Sequence, residues 1–402
     1  MEIIISEIYI YICRAVPEAV CNFKKLSVAG NRFSLNMAKA LNNVCGDNVR
    51  FISLSHVERR LIDKLHADEI WNGKSYQQIK SGKYILVSEF VQAFRLFCYI
   101  KREIKKNKDN YTVIIENSPA GVAMCCTALK KLYKVPVYSI TIDTPFTASL
   151  SHDGILGKIN CWKFRLGQKQ LKHFNGIISF TKEVCKQLGI DIPCLEFAIG
   201  CEEKNIPLDN DGFEVNEHYP RKIVYAGTLI YYNGITEMLN AFADLGEAYQ
   251  LHIYGYGPLE NSVIKMAKTY SNIIYHGRFD SDRTKEILDQ ADLLINPRIL
   301  DPYIENFTFP SKLVDYVISG KNVLSSKFKT LPKEYEDFLY LMDSVSKESI
   351  CSSVESVFRE SKEKRQCRIK EGISFIRNHQ TYNKIGEKVL HFMEENITKE
   401  GG

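Results

Sequence analysis

The chain has 402 residues, 45% hydrophobic and 25% charged, with a formal net charge of +5. That length exceeds what most single cores hold and suits two domains, and the composition is that of a soluble globular protein rather than a disordered or collagenous one. Twelve cysteines are scattered with no C-x-x-C pair, which argues against a zinc site or disulfide framework and for a reducing, cytoplasmic setting.

Residues 2–12 read as a first strand rather than a signal peptide, because two acids and no basic segment lie within them. Gly30 and Asn31 form a loop opening a helix over 33–41, where Leu35, Met37, Ala38 and Leu41 share one side. The loop suits either an acceptor contact or a plain tight turn. Residues 49–54 read as a strand. Gly73-Lys74-Ser75 is not a phosphate-binding P-loop, since the glycine required five residues earlier is Asp68. The most apolar stretch, 84–100, is interrupted by Glu89, Gln92 and Arg95, so no membrane-spanning helix is expected.

Residues 111–116 make a strongly apolar strand, Asn117-Ser118-Pro119 starts a helix, and 135–142 is the next strand, ending in Asp143-Thr-Pro145. A carboxylate at the carboxyl end of a parallel strand faces the ligand crevice, which makes Asp143 a candidate for taking an acceptor's proton; the alternative is a turn cap. Residues 176–180 and 194–199 complete the strands of this half.

Charge is unevenly divided. Residues 1–200 hold 28 Lys and Arg against 17 Asp and Glu, and the remainder holds 25 against 31. Helical stretches over 90–108 and 158–173 carry much of the excess, the second with Trp162, Phe164 and Leu166 among its cations. Each alone suits a solvated helix; together they suggest a membrane surface. No recognition motif accompanies the charge, so nucleic acid is not expected as a partner.

Residues 201–222 are polar and acidic and read as an interdomain linker. A strand over 222–227 then ends in Gly227-Thr228-Leu229, with a helix over 234–242 behind it. A strand over 250–255 ends in Gly255 before Tyr256-Gly257-Pro258; Glu260 stands where a dinucleotide fingerprint needs its third glycine, which removes that reading. Residues 291–295 form a short buried strand, closed by the turn Asn296-Pro297 ahead of Arg298. After a polar loop, Pro310 occupies the first position of a helix reaching Ile318, Gly320 caps it, and 322–325 is the next strand. A helix start facing a strand's carboxyl end suits an anion, Lys312 adds charge, and Asp315 lies one turn on, where a carboxylate can accept from a ribose diol. An ordinary helix start with a surface Lys and Asp is the plainer alternative. Residues 346–380 look helical, and 381–396 form a terminal helix with Ile385, Val389, Leu390 and Met393 on one side.

The run Phe309-Pro310-Ser311-Lys312, with Asp315-Tyr316 and Ser319-Gly320-Lys321, resembles the donor-nucleotide motif of bacterial family 4 glycosyltransferases, particularly the polysaccharide-assembly enzymes. Asp315 stands where those enzymes carry Glu. A further Glu eight residues earlier is Phe307 here, and the nearest acid is Glu305. The resemblance is most specific over 222–340 and fainter before 110.

The resemblance implies an α/β fold of two Rossmann-like domains facing across a cleft, the B-type glycosyltransferase architecture. The acceptor domain would span 1–200, with the helix of 381–402 packing back on it, the linker 201–222, and the donor domain 223–380. It implies a retaining transferase moving sugar from a UDP- or GDP-linked donor to a glycan or lipid-linked acceptor in cell-surface polysaccharide synthesis. Donor contacts would come from Gly227, Thr228, Gly255, Arg278, Phe279, Arg298, Phe309, Pro310, Ser311, Lys312 and Asp315, acceptor contacts from Gly30 and Asn31. Asp143, Lys312 and Glu305 would carry the chemistry. No metal or cofactor is expected; the Asp-x-Asp of Asp209-Asn210-Asp211 falls in the linker. The site of action would be the cytoplasm, peripherally on the membrane's inner face. A nucleotide-sugar binder without turnover and a membrane-surface scaffold are the readings from other classes.

Overall fold

The computed structural model describes residues 8–16, 28–54, 76–80, 88–106, 109–142, 155–208, 215, 217–279, 283–301 and 308–400. They fall into two units, 1–197 with 382–402, and 198–381.

In the first unit the chain runs β1 (Ile8–Cys13), α1 (Val28–Cys45), β2 (Val49–Ser53), β3 (Tyr76–Gln78), α2 (Ser88–Lys106), β4 (Tyr111–Glu116), α3 (Ala120–Tyr133), β5 (Val137–Ile140), α4 (Ile155–Gln168), β6 (Gly176–Ser179), α5 (Glu183–Leu188) and β7 (Cys194–Glu196). These strands form a parallel sheet ordered β3-β2-β1-β4-β5-β6-β7. Helices on both faces explain why β1 and β4 are buried along nearly their whole length rather than at alternate residues. The order reverses between β1 and β4, where Tyr11 and Ser34 both donate to the Glu116 carboxylate at the end of β4, over 3.0 and 2.8 Å.

Gly30 and Asn31 are not in a loop: the helix begins at Val28 and includes both. The Asn31 carboxamide is spent on the backbone of Val16, accepting from its N–H at 2.8 Å and donating to its carbonyl at 3.0 Å. That pairing spans 15 residues, is invisible to hydrophobic periodicity, and ties the first turn of α1 to the chain after β1. The terminal helix α12 (Tyr382–Glu400) belongs to this unit. The Tyr382 hydroxyl accepts from Asn36, and Tyr138 donates to the Met393 carbonyl at 2.9 Å.

The second unit runs β8 (Arg221–Ala226), α6 (Ile235–Leu245), β9 (Tyr249–Tyr254), α7 (Glu260–Thr269), β10 (Ile273–Gly277), α8 (Thr284–Asp289), β11 (Leu293–Asn296), α9 (Lys312–Ile318), β12 (Asn322–Ser326), β13 (Tyr340–Met342), α10 (Lys347–Arg359) and α11 (Lys362–His379). Its parallel sheet is ordered β10-β9-β8-β11-β12-β13, reversing between β8 and β11. The chain over 346–380 is two helices, not one. The Ser361 hydroxyl accepts from the Lys364 N–H and starts a new helix after extended backbone at Glu360, a cap that apolar spacing does not reveal. The described part of 201–220 is packed rather than free. Cys201 donates its N–H to Gln380, the Arg377 guanidinium bonds the Pro207 carbonyl, and Ile206 and Val215 are buried.

Candidate functional site

In open parallel sheets a ligand crevice forms at the carboxyl edge, where the strand order reverses. In the second unit that point lies at the ends of β8 and β11, and three glycines sit there. Gly227 donates to the Tyr254 carbonyl at 2.9 Å, and Gly255 donates to the Gly277 carbonyl at 2.8 Å. Gly255 has φ +148°, and a Cβ on it would lie 1.8 Å from the Gly227 carbonyl oxygen. Only glycine permits this stitching of strand ends.

Lys312 opens α9 and reaches over this edge. Its ammonium donates to the Tyr225 hydroxyl at 3.0 Å, lies 4.1 Å from that ring's centroid, and would stand 3.1 Å from a Cβ at Gly227. Arg298 follows the end of β11, and its guanidinium bonds the Thr308 hydroxyl while its Nε is buried without a hydrogen-bond partner. Burial first, and then the Arg298 charge, push the Lys312 ammonium down to about 7; burial lowers Arg298 itself to about 10. Among the described residues no carboxylate forms an ion pair with either. Two half-buried cations close together, with no carboxylate on either among the described residues, repel each other, and a bound dianion offsets that repulsion.

Tyr225 and Tyr316 complete the site; Tyr316 belongs to the motif, whereas motif reading misses Tyr225. The Tyr225 hydroxyl donates a hydrogen bond to the Thr228 carbonyl at 2.9 Å. Tyr316 holds the end of β8 against α9, accepting from Ala226 N–H at 2.9 Å and donating to its carbonyl at 3.1 Å. The available signal was a tyrosine on the buried side of an apolar strand, directly before a glycine loop.

Asp315 is exposed in the first turn of α9. The helix starts at Lys312, so Pro310 and Ser311 precede it; the Pro310 carbonyl accepts the Leu313 N–H at 3.0 Å. Ser311 is exposed, whereas Phe309 is buried edge-on to Phe328 and Tyr335 and anchors the turn by packing. Thr228 exposes its side chain, and its carbonyl accepts from Tyr225 and from Asn233 Nδ2. At the end of β10, Arg278 stacks over Tyr256 with 4.6 Å to the ring centroid, and Phe279 meets Tyr254 edge-on. Thus Lys312, Arg298 and Gly227 are brought together, with Gly255 beneath them. Asp143 and Glu305 lie outside the described residues, as do Phe307 and Asp209-Asn210-Asp211. Among the described residues no three His, Cys, Asp or Glu side chains converge as metal ligands, and no helix is long and apolar enough to cross a membrane.

Residues 210–374 match the family described as Glycosyl transferases group 1. No curated protein sequence matches the chain. Solved structures match over nearly the whole chain at low identity. Sucrose-phosphate synthase from Thermosynechococcus elongatus gives a TM-score of 0.67 at 10% identity, covering 98% of this chain and 100% of that one. Anabaena HepE in complex with UDP gives 0.64 at 8%, covering 96% and 100%. WaaG, a glycosyltransferase involved in lipopolysaccharide biosynthesis, gives 0.58 at 12%, covering 96% and 99%. At such identities the likeness shows the fold: two parallel-sheet α/β domains of the B-type architecture.

Proposed function

We propose that this chain, a glycosyltransferase of the B-type fold, moves a sugar with retention from a UDP- or GDP-linked donor to a glycan or lipid-linked acceptor in cell-surface polysaccharide assembly. The observation that carries the reading is the enclosed pair Lys312 and Arg298 at the switch point of the second sheet, two cations awaiting a diphosphate. Glycine at 227 lets backbone approach the phosphates, and Asp315 accepts from the ribose diol. As the glycosidic bond breaks, negative charge grows on the departing diphosphate and Lys312 stabilises it where it develops. The acceptor oxygen forms the new bond to the anomeric carbon, and Asp143 handles its proton. Two protein cations fill the role that a metal ion takes elsewhere, so transfer is expected to continue in EDTA; restoration of a lost activity by magnesium refutes this.

Binding of UDP and GDP, followed by titration and by product formation with acceptor, tests the reading and separates turnover from binding alone. Asp315→Ala is expected to weaken nucleotide-diphosphate binding by about 1.5–3 kcal/mol, the usual range for charge-assisted hydrogen bonds. An unchanged titration removes the ribose assignment. The basic excess of residues 1–200 supports a site of transfer beside the membrane's cytoplasmic face, where a lipid-linked acceptor would be presented.

A further inference from the structure

Among the described residues of the first unit, every exposed large hydrophobic side chain lies on α2, α3 or α4: Phe90, Phe94, Met124, Leu132 and Trp162. Single exposed apolar residues are ordinary; their grouping is not. Four of the five lie, along their helices, within three residues of one contact region between α2, α3 and α4. On α3, Gly121 packs against the Glu89 carbonyl and Ala93 Cβ of α2, a Cβ at that glycine falling 3.0 and 3.1 Å from them. The Glu89 carboxylate accepts the Gly121 N–H at 3.1 Å and faces the Lys163 ammonium of α4 at 3.9 Å. Phe90 and Phe94 follow Glu89 and Ala93 directly, Met124 is three residues beyond Gly121, and Trp162 precedes Lys163. Phe94 and Trp162 are 68% and 60% exposed, so neither contributes to the core.

On these three helices the exposed charge is of one sign. Helices α3 and α4 contain no acidic residue, and the two on α2 are both engaged inside the unit, Glu89 as above and Glu103 with Arg50. Exposed cations surround them, including Arg102, Lys105, Lys131, Lys158 and Arg165. Lys163 is excluded from this surface, since its side chain is only 13% exposed and turned toward Glu89.

From this arrangement we propose that α2, α3 and α4 form a docking face for an anionic lipid surface, with Phe90, Phe94, Met124 and Trp162 entering the headgroup boundary. Exposed aromatic and aliphatic side chains gain from the apolar part of an interface, and cations gain from lipid phosphates; a purely polyanionic partner leaves the apolar group uncompensated. The inference extends the membrane-side reading above and is independent of the donor site, which lies in the other unit.

The test is co-sedimentation of the full chain with vesicles of equimolar phosphatidylglycerol and phosphatidylcholine at low salt, beside pure phosphatidylcholine vesicles. Binding to the anionic vesicles alone, lost as salt rises, is expected. In a Trp71→Phe background, Trp162 fluorescence is expected to shift to the blue on binding. Phe94→Ser with Trp162→Ser, and separately Arg102→Glu with Arg165→Glu, are expected to reduce partitioning at least tenfold while UDP titration stays unchanged. Because these side chains are exposed, the folded unit tolerates the changes, and an unchanged melting temperature verifies it. Failure of the wild type to sediment, full retention by both variants, or binding to single-stranded RNA in place of vesicles overturns the proposal. Failure of the wild type to bind either UDP or GDP instead overturns the donor-site reading and leaves this face untouched.

Discussion

Replacing Lys312 with alanine is expected to lower turnover by roughly 10²–10³-fold, the usual cost of removing a group that stabilises developing charge, and to weaken nucleotide-diphosphate binding by much less. The ground-state diphosphate keeps Arg298 and the glycine-lined edge, whereas the transition state carries more charge than those groups alone offset. Equal losses in turnover and affinity mean that Lys312 binds uniformly, and the catalytic role then falls. The empty variant should fold at least as stably as the wild type, because removing one of two enclosed like charges relieves their repulsion. A pH dependence belongs to the same group. With its pKa depressed to about 7, Lys312 loses its proton as pH rises through neutrality in the empty site. A bound diphosphate favours the charged form and restores the proton, so affinity is greatest below about pH 7 and declines above it. Calorimetry in buffers of different ionisation enthalpy should register proton uptake above that pH. In Lys312→Ala both the uptake and the decline should vanish.

Gly255→Ala is expected to destabilise the second unit by about 3–5 kcal/mol, within the range of severe backbone and steric defects. Its φ of +148° is closed to other residues, and the new Cβ would fall 1.8 Å from the Gly227 carbonyl oxygen. The backbone must then move apart at the strand ends that carry the site, so nucleotide binding should fail with the fold. Gly189→Ala is the comparison: φ is +61° with nothing within 4 Å of the new Cβ. Only the left-handed conformation is penalised there, at about 1–2 kcal/mol. Similar thermal shifts for the two variants contradict the stitched-edge geometry.

Much of the frame follows from local sequence. Apolar runs such as 111–116 and 291–295 must be buried on both faces, so they become central parallel strands; Asn296-Pro297 closes the second of them and Gly320 ends α9, each for reasons of backbone conformation alone. Lys312 and Asp315 are legible because a proline-led helix start and a one-turn spacing are themselves local. What the sequence could not supply is which distant side chains share a desolvated space. Tyr225 lies 87 residues before Lys312 and acquires its place only when β8 and α9 pack together. Arg298 lowers the proton affinity of Lys312 because the fold brings the two together; in an extended chain, water would screen them. Lys163 looks like any other cation of a basic helix until α4 turns it onto Glu89, while its neighbour Trp162 is left outside. Burial and turn chemistry are written residue by residue. The meeting of charges, and the faces left uncovered, are set by tertiary contact, because desolvation and electrostatic coupling depend on distance in space rather than along the chain.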